Sequence, residues 1–214
     1  MGDENNMTSI VFPPGKFICY LRQPKSASLS MTKWCVEFAQ KNKRAYLTSL
    51  NYQQSNYNVD VEQDTIIAHH MTAKRVQQTF PQWWNNMEKI VTVRNPWNIL
   101  ASKYYHMQKL GVTQVDTSTF ESFCNQLIEL RGTLNPGKDY YSIDNKIIAD
   151  HIIPVEHLQE HLDEIFKDYI VPIVPVVNTG LVAQEKYKEL YTDKINERIV
   201  ADFAWEIEKF NYKF

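Results

Sequence analysis

Short apolar runs alternate with segments of helical spacing along this chain, and that alternation limits the folds open to it. Phe17–Leu21 is an apolar run with proline on both sides, which indicates a buried strand, and helical spacing begins at Ser30. Residues 89–93 have a β-branched strand pattern, and residues 98–110 follow with the aromatic-rich face of a packed helix. Strands that alternate with helices pair in parallel. The sequence therefore predicts an α/β protein with a central parallel sheet flanked by helices.

The remaining patterns add elements to this plan. Further strand patterns cover residues 45–50, 65–70 and 147–153, and helical spacing covers residues 72–80, 120–130 and 155–169. A single terminal helix is predicted from the apolar face formed by Ile195, Ile199, Phe203, Ile207 and Phe210. Asn135-Pro136-Gly137 is a turn signal. We expect one domain over residues 1–214, with a loop insertion at about 111–145.

The composition is that of an ordinary globular protein. The chain has 214 residues, 43% of them apolar and 22% charged, which is enough for one core and argues against general disorder. A formal net charge of −2 argues against a nucleic-acid partner, because such domains usually carry a clear basic excess. No apolar run reaches the roughly 18 residues of a membrane span, and the first residues are polar and unlike a signal peptide. We therefore expect a soluble, cytoplasmic protein.

Cysteine usage agrees with a reducing compartment. Cys19, Cys35 and Cys124 are odd in number and lack metal-ligand spacing, and two of them lie in apolar segments where buried thiols are common. We expect all three to be reduced and structural.

A polar loop at residues 23–30 follows the first strand and has the character of a phosphate-binding site. Its sequence is Gln-Pro-Lys-Ser-Ala-Ser-Leu-Ser, so that a lysine precedes small hydroxyl residues at the start of a helix. Backbone N–H groups at such a helix start can surround an anion. The loop lacks the glycines of the nucleotide-triphosphate P-loop. It suits one phosphate group.

A second loop of this kind follows the strand at residues 89–93. Arg94 ends that strand, and Asn95-Pro96 imposes an extended turn before a helix that begins near Trp97 or Asn98, with Ser102 about one turn inside. An arginine there can donate two parallel bonds to a phosphate, each worth roughly 1.5–3 kcal/mol. In open parallel sheets, ligands bind at the edge formed by the carboxyl ends of the strands, which is where Arg94 is predicted to lie. One ligand that carries phosphate at two places would use both loops.

Both loops resemble motifs of the sulfotransferases that use 3′-phosphoadenosine 5′-phosphosulfate, PAPS below. Residues 24–30 are similar to the family's 5′-phosphosulfate loop, and Arg94-Asn95-Pro96 with Ser102 and Tyr104 is similar to its 3′-phosphate motif. Other segments match in order and spacing. They are His70-Met71-Thr72-Ala73, similar to a His-x-Thr-Ala segment of the glycan-type branch, Val155-Glu156-His157-Leu158, similar to Tyr-Glu-x-Leu, and residues 210–214, similar to a closing Phe-Gly-Tyr-x-Phe. Ala27 departs from the commoner glycine, and Leu29 from a commoner hydroxyl residue.

The resemblance implies a P-loop-like sulfotransferase fold and a set of residue roles. Lys25 would neutralise the bridging oxygen of the departing 3′,5′-diphosphate, and His70 would take the proton of the acceptor. Arg94 and Ser102 would bind the 3′ phosphate. The 5′ group would be held by Lys25, Ser26, Ala27, Ser28, Leu29 and Ser30.

The branch of the family suggests the partners. A small nucleotide, PAPS, would be the donor, no metal would be needed, and a glycan hydroxyl is the first expectation for the acceptor, ahead of a lipid or a small metabolite. The insertion at 111–145 would lie on the acceptor side. Tyr140 and Tyr141 lie in that loop region, where an acceptor contact is a hypothesis.

Alternative functions stay open at this point. A nucleotide-dependent small-molecule kinase would use the same two anion-binding loops, and a catalytically silent nucleotide-binding module would bind without transfer. A zinc hydrolase is a further alternative, because His157-x-x-Glu160-His161 spells the inverted zinc-protease motif. That segment also has the pattern of an ordinary amphipathic helix whose histidines border the polar side. We favour the sulfotransferase hypothesis.

Overall fold

The computed structural model of the chain describes residues 17–42, 66–68, 70–176 and 185–214. These residues fall into two compact units, one drawn from Met1–Val93 and Gly137–Val177, the other from Arg94–Pro136 and Asn178–Phe214. The single domain with an insertion at 111–145 stays a prediction.

The elements of the described residues follow one another in a strand–helix order. The strands are β1 (Phe17–Leu21), β2 (Ile66–Ala68), β3 (Met87–Val93), β4 (Ser142–Ile143), β5 (Lys146–Ile147) and β6 (His151–Pro154). The α-helices are α1 (Ser28–Lys41), α2 (Ala73–Thr79), α3 (Pro81–Trp84), α4 (Pro96–Leu110), α5 (Phe120–Arg131), α6 (Leu158–Ile165), α7 (Asp193–Asp202) and α8 (Ala204–Phe210). Short 3₁₀ helices cover Pro136–Tyr140, Val155–His157 and Glu185–Leu190.

The described part of the first unit is built on a four-stranded parallel sheet with the order β2-β1-β3-β6. Leu21 at the end of β1 pairs with Ala68 and with Val91, so the carboxyl ends of these strands share one edge. β1 and β3 lie in the centre, which explains why β1 reads as an unbroken apolar run. The predicted α/β fold with a central parallel sheet flanked by helices is confirmed.

Helix α1 covers this sheet with the apolar face that its spacing predicts. Trp34 and Phe38 are buried, their rings stack 4.9 Å apart, and both lie against Phe166, which follows α6. The indole N–H of Trp34 donates to the carbonyl of Pro172 at 2.9 Å. These contacts hold helix α1, and with it the residues at its start, in place.

The described part of the second unit is helical and has a core of its own. Asn95 caps α4, Thr119 caps α5 and Thr192 caps α7, each by accepting from a backbone N–H of the first turn. The buried core consists of Trp97, Ile99, Leu100, Tyr104, Phe120, Phe123, Cys124, Leu134, Ile195, Ile199 and Phe203. Cys124 here, and Cys19 and Cys35 in the first unit, are buried and free, as predicted.

Two predicted elements of the first unit are shorter in the structure than their sequence patterns indicate. The strand predicted at 147–153 is broken, because the carboxylate of Asp150 accepts from the backbone N–H of Lys89 at 2.7 Å, and β6 begins only at His151. The helix predicted at 155–169 starts as a 3₁₀ turn after Pro154 and is α-helical only over Leu158–Ile165.

The terminal helix is also interrupted. Phe203, with φ −113° and ψ 19°, separates α7 from α8, and its ring is buried in the core of the second unit. The strand predicted at 45–50 and the residues Thr65 and His69 lie outside the described residues. Among the described helices, none combines the length and the apolar composition that a membrane crossing requires.

Candidate functional site

The loop that joins β1 to α1 has the backbone of an anion-binding site. Lys25 has φ +67° and Ala27 has φ +54°, so two non-glycine residues of this short loop adopt the left-handed conformation. Backbone of this kind turns neighbouring N–H groups to one side and forms a concave nest that binds anions. Lys25, which is half-buried, adds a positive charge to the same loop.

Helix α1 begins at this loop without a side-chain cap. Ala27 occupies the cap position and has no side chain that can accept a hydrogen bond, and no acidic residue lies in the first turn. The N–H groups of a first helical turn need an acceptor from outside the helix. The 14-residue helix therefore presents its partial positive charge to the loop.

Ser26 gives independent evidence that the loop is shaped for a ligand. Its side chain is 0% exposed, and its hydroxyl has no hydrogen-bond partner in the described part of the chain. Its carbonyl accepts from the hydroxyl of Thr92 at 2.6 Å, and the hydroxyl of Tyr20 lies 2.9 Å from that of Thr92. A buried hydroxyl without a partner costs about 1–3 kcal/mol. An oxygen of a bound anion would satisfy it.

His70 lies in the turn after β2 and is anchored to the same loop region. Its Nδ1 is 3.2 Å from the carbonyl oxygen of Arg22, which precedes Lys25 in the β1–α1 connection. A carbonyl only accepts, so Nδ1 carries the proton, and in the neutral ring the lone pair is on Nε2. Because the ring is exposed, Nε2 can take a proton from a bound molecule.

Arg22 and Tyr140 also belong to this region. The sequence predicted no role for Arg22 and only an acceptor contact for Tyr140. Arg22 is buried, and burial lowers the pKa of its guanidinium, while the neighbouring hydroxyls of Tyr20 and Tyr140 act in the opposite direction. The hydroxyl of Tyr140 donates to the backbone carbonyl of His70 at 3.2 Å. A charged residue directly after a buried strand was the signal that could have pointed to Arg22.

A cleft of about 340 Å³ opens beside the start of α1. Ala27 and Ser30 form one wall, and Val155, Leu158 and the segment 174–176 form the rest of its apolar lining. Since the sheet order is β2-β1-β3-β6, this cleft lies on the β6 side of the loop, whereas His70 follows β2.

The inverted zinc-protease pattern lies at the rim of this cleft. His157 ends a 3₁₀ turn, with φ −127° and ψ 29°, while Glu160 and His161 lie in α6, so the motif is not on one continuous α-helix. Nδ1 of His157 pairs with the Glu160 carboxylate at 3.3 Å. Within the described residues, no group of three or more histidine, cysteine or acidic side chains could hold a metal ion.

Arg94 and Ser102 belong to the second unit, while Lys25 and His70 belong to the first. Arg94 directly follows β3 in the chain and is half-buried. The next residue, Asn95, accepts from the N–H of Trp97 at 3.1 Å, so α4 starts at Pro96, slightly earlier than predicted. Ser102 lies half-buried inside α4.

A second cation, Lys103, follows Ser102 and was missed by sequence reasoning. It is half-buried in α4, and burial lowers the pKa of its ammonium group to about 8. An amphipathic helix pattern gives no sign of this, because lysine is ordinarily assigned to the solvated face.

Comparisons with known proteins agree with the geometry at the level of the fold. No family model and no curated protein matches the chain. Among solved structures, the chain is similar to the crystal structure of the mouse sulfotransferase SULT7A1 complexed with PAP, with a TM-score of 0.56. The sequence identity is 12%, over 90% of this chain and 84% of that chain. The likeness at this identity shows that the chain has the fold of that sulfotransferase.

Proposed function

We propose that this protein is a sulfotransferase that moves the sulfuryl group of PAPS to an acceptor hydroxyl. The observation that carries the proposal is the loop between β1 and α1. A left-handed nest, an uncapped helix start and the buried hydroxyl of Ser26 together call for an anion, and His70 is anchored beside it through Arg22. The sulfotransferase fold supports the same assignment.

The residues of the first unit would divide the work at the reacting end of the donor. The first turn of α1 and the Ser26 hydroxyl would bind the 5′ phosphate oxygens. As a new S–O bond forms to the acceptor oxygen and the S–O bond to the 5′ phosphate breaks, Lys25 would offset the charge left on the departing 3′,5′-adenosine diphosphate. Nε2 of His70 would take the proton that the acceptor hydroxyl releases.

Residues of the second unit would identify the donor. Arg94 and Ser102 would bind the 3′ phosphate, the group that distinguishes PAPS from ATP. The mouse sulfotransferase of similar fold is complexed with PAP, which supports a nucleotide of this class.

The two sides of the loop suggest where the nucleoside of the donor and the acceptor bind. We assign the nucleoside to the cleft on the β6 side, since Ala27 and Ser30 belong both to the loop and to the cleft wall. The acceptor would then approach from the β2 side, where His70 lies. A glycan acceptor rests on the resemblance at residues 70–73, and a cytoplasmic location rests on the sequence.

Transfer of labelled sulfate from PAPS to a panel of glycan, lipid and small-molecule hydroxyls tests the proposal. We expect transfer to at least one class, abolished by Lys25→Ala and lowered about 10²–10⁴-fold by His70→Ala, the usual contribution of a general base. The matched controls are Lys33→Ala and His106→Ala, both at exposed helical positions. Transfer of the γ-phosphoryl group of ATP to an acceptor, without transfer of sulfate from PAPS, would identify a kinase. Binding of 3′,5′-adenosine diphosphate without transfer to any acceptor would identify a silent module.

A further inference from the structure

His70 is held in a backbone conformation that it would not adopt by itself. Its φ of +49° lies in the left-handed region, which costs a residue other than glycine about 1–3 kcal/mol and persists only where the surrounding structure imposes it. Hydrogen bonds to both the ring and the backbone carbonyl hold this residue. Its ring donates from Nδ1 to the carbonyl of Arg22, and its own carbonyl accepts from the hydroxyl of Tyr140, each at 3.2 Å.

Tyr140 is itself well placed to fix a backbone carbonyl. It ends the 3₁₀ helix Pro136–Tyr140, and the next residue, Tyr141, is only 1% exposed. The N–H of Tyr141 donates to the carbonyl of Lys138, and the hydroxyl of Ser142 donates to the same carbonyl at 2.9 Å. A tyrosine side chain has only two torsion angles. When the backbone at Tyr140 is fixed by these hydrogen bonds, the Tyr140 hydroxyl therefore has few available positions.

We propose that Tyr140 is a positioning residue, which holds His70 in the left-handed conformation and thereby aims Nε2 at the acceptor hydroxyl. The inference rests on the proposed function, in which His70 is the general base. It corrects the expectation that Tyr140 and Tyr141 both contact the acceptor, because Tyr141 is buried in the core.

Without the Tyr140 hydroxyl, His70 would lose the hydrogen bond on its carbonyl that opposes relaxation toward an extended backbone. That relaxation would carry the ring away from the Arg22 carbonyl. The proton would then no longer be confined to Nδ1, and part of the neutral population would carry it on Nε2, where it blocks proton acceptance. The loss would appear in turnover rather than in nucleotide binding.

Tyr140→Phe tests this directly. We expect kcat to fall about 10- to 100-fold, the scale of a misplaced catalytic group, with the dissociation constant of 3′,5′-adenosine diphosphate unchanged. Tyr169→Phe is the matched control, since Tyr169 is a half-buried tyrosine of the same unit that packs on Phe38 and Phe166. The Tyr169→Phe variant should keep the native kcat and the native dissociation constant. In a His70→Ala background, Tyr140→Phe should cause no further loss, because its effect passes through His70.

The ¹⁵N shifts of the His70 ring give a readout that does not depend on activity. We expect the Nδ1–H tautomer in the native protein and a mixture of tautomers in Tyr140→Phe. An unchanged ring spectrum together with an unchanged kcat would overturn the role of Tyr140. If the spectrum changes as expected while the native protein transfers no sulfate, the sulfotransferase proposal fails and the positioning of His70 by Tyr140 stands.

Discussion

At the scale of single residues, Ala27 shows how a departure from a motif changes the physics of a loop. The sequence shows that alanine stands where the resembling family commonly has glycine, and the structure shows what that requires, a φ of +54°. An L-residue pays roughly 1–2 kcal/mol for that conformation, whereas glycine pays no steric cost. The loop therefore holds strain at the point where the anion is proposed to bind.

Ala27→Gly is expected to raise the free energy of unfolding by up to about 1 kcal/mol, since the relief of strain exceeds the roughly 0.4–1 kcal/mol that glycine adds to the entropy of the unfolded chain. Urea unfolding measures the change. Ala39→Gly, inside the same helix α1, provides the control and should lower stability by about 1 kcal/mol or more. A loss of stability in both variants would show that Ala27 is not strained.

Lys103 makes a prediction about pH. Its pKa is lowered by burial from the ordinary 10.5 to about 8. Below pH 8 the ammonium is charged in both states, and the folded chain bears the full cost of burying it. Between pH 8 and 10.5 the folded chain releases the proton while the unfolded chain keeps it, so this group's contribution to stability rises with pH.

Lys103→Met should therefore be more stable than the native protein at pH 7, with an advantage that shrinks steadily between pH 8 and pH 10.5. Urea unfolding at several pH values gives the difference in free energy. Lys109→Met, at an exposed position in the last turn of the same helix, should show no such trend. A difference that stays constant with pH would mean that the Lys103 ammonium is not desolvated.

At the scale of elements, the sequence pattern predicted the helices and strands whose contacts repeat regularly along the chain. The apolar run of β1, the β-branched run of β3 and the spacing of α1 specify their elements because the relevant contacts are periodic along the chain. The breaks at Asp150 and Phe203 escaped prediction. The first depends on a contact to Lys89, and at the second the apolar spacing continues across the break, so that spacing alone predicts one helix. Neither break is marked in the periodicity of the sequence.

The candidate site likewise has residues that the sequence predicts and residues that it does not. The Lys25 loop could be recognised from one stretch of residues, because strand, loop and helix start are contiguous. Arg22 and Tyr140 could not be connected to His70, because the bonds that join them span 48 and 70 residues of chain. Contacts at such separation carry no local signature.

Helix α2 gives a prediction at this scale, because it starts immediately after His70. Thr72 caps it by accepting from the N–H of Arg75 at 3.3 Å, which gives a structural reason for the threonine of the His-x-Thr-Ala segment. Thr72→Ala should lower the free energy of unfolding by about 1 kcal/mol, and Thr72→Ser should retain the cap. Chemical denaturation measures both. Equal losses in the two variants would assign the effect to the methyl group of Thr72 rather than to its hydroxyl.

At the scale of the whole molecule, the proposed donor carries phosphate at two positions. Lys25 and Ser26 are assigned to one end of that donor, and Arg94 and Ser102 to the other. The proposed function requires that the protein distinguish nucleotides by the 3′ phosphate. Arg94→Ala should remove most of that distinction, whereas Arg131→Ala, at the exposed end of α5, should leave it intact.

Thermal unfolding with 3′,5′-adenosine diphosphate and with ATP tests this claim most directly. A ligand at about 100 times its dissociation constant stabilises the folded chain by roughly 2.7 kcal/mol, which raises Tm by about 5–10 °C in a protein of this size. We expect that shift with 3′,5′-adenosine diphosphate and little or none with ATP at the same concentration. An equal or larger shift with ATP, or no shift with either nucleotide, would contradict the claim.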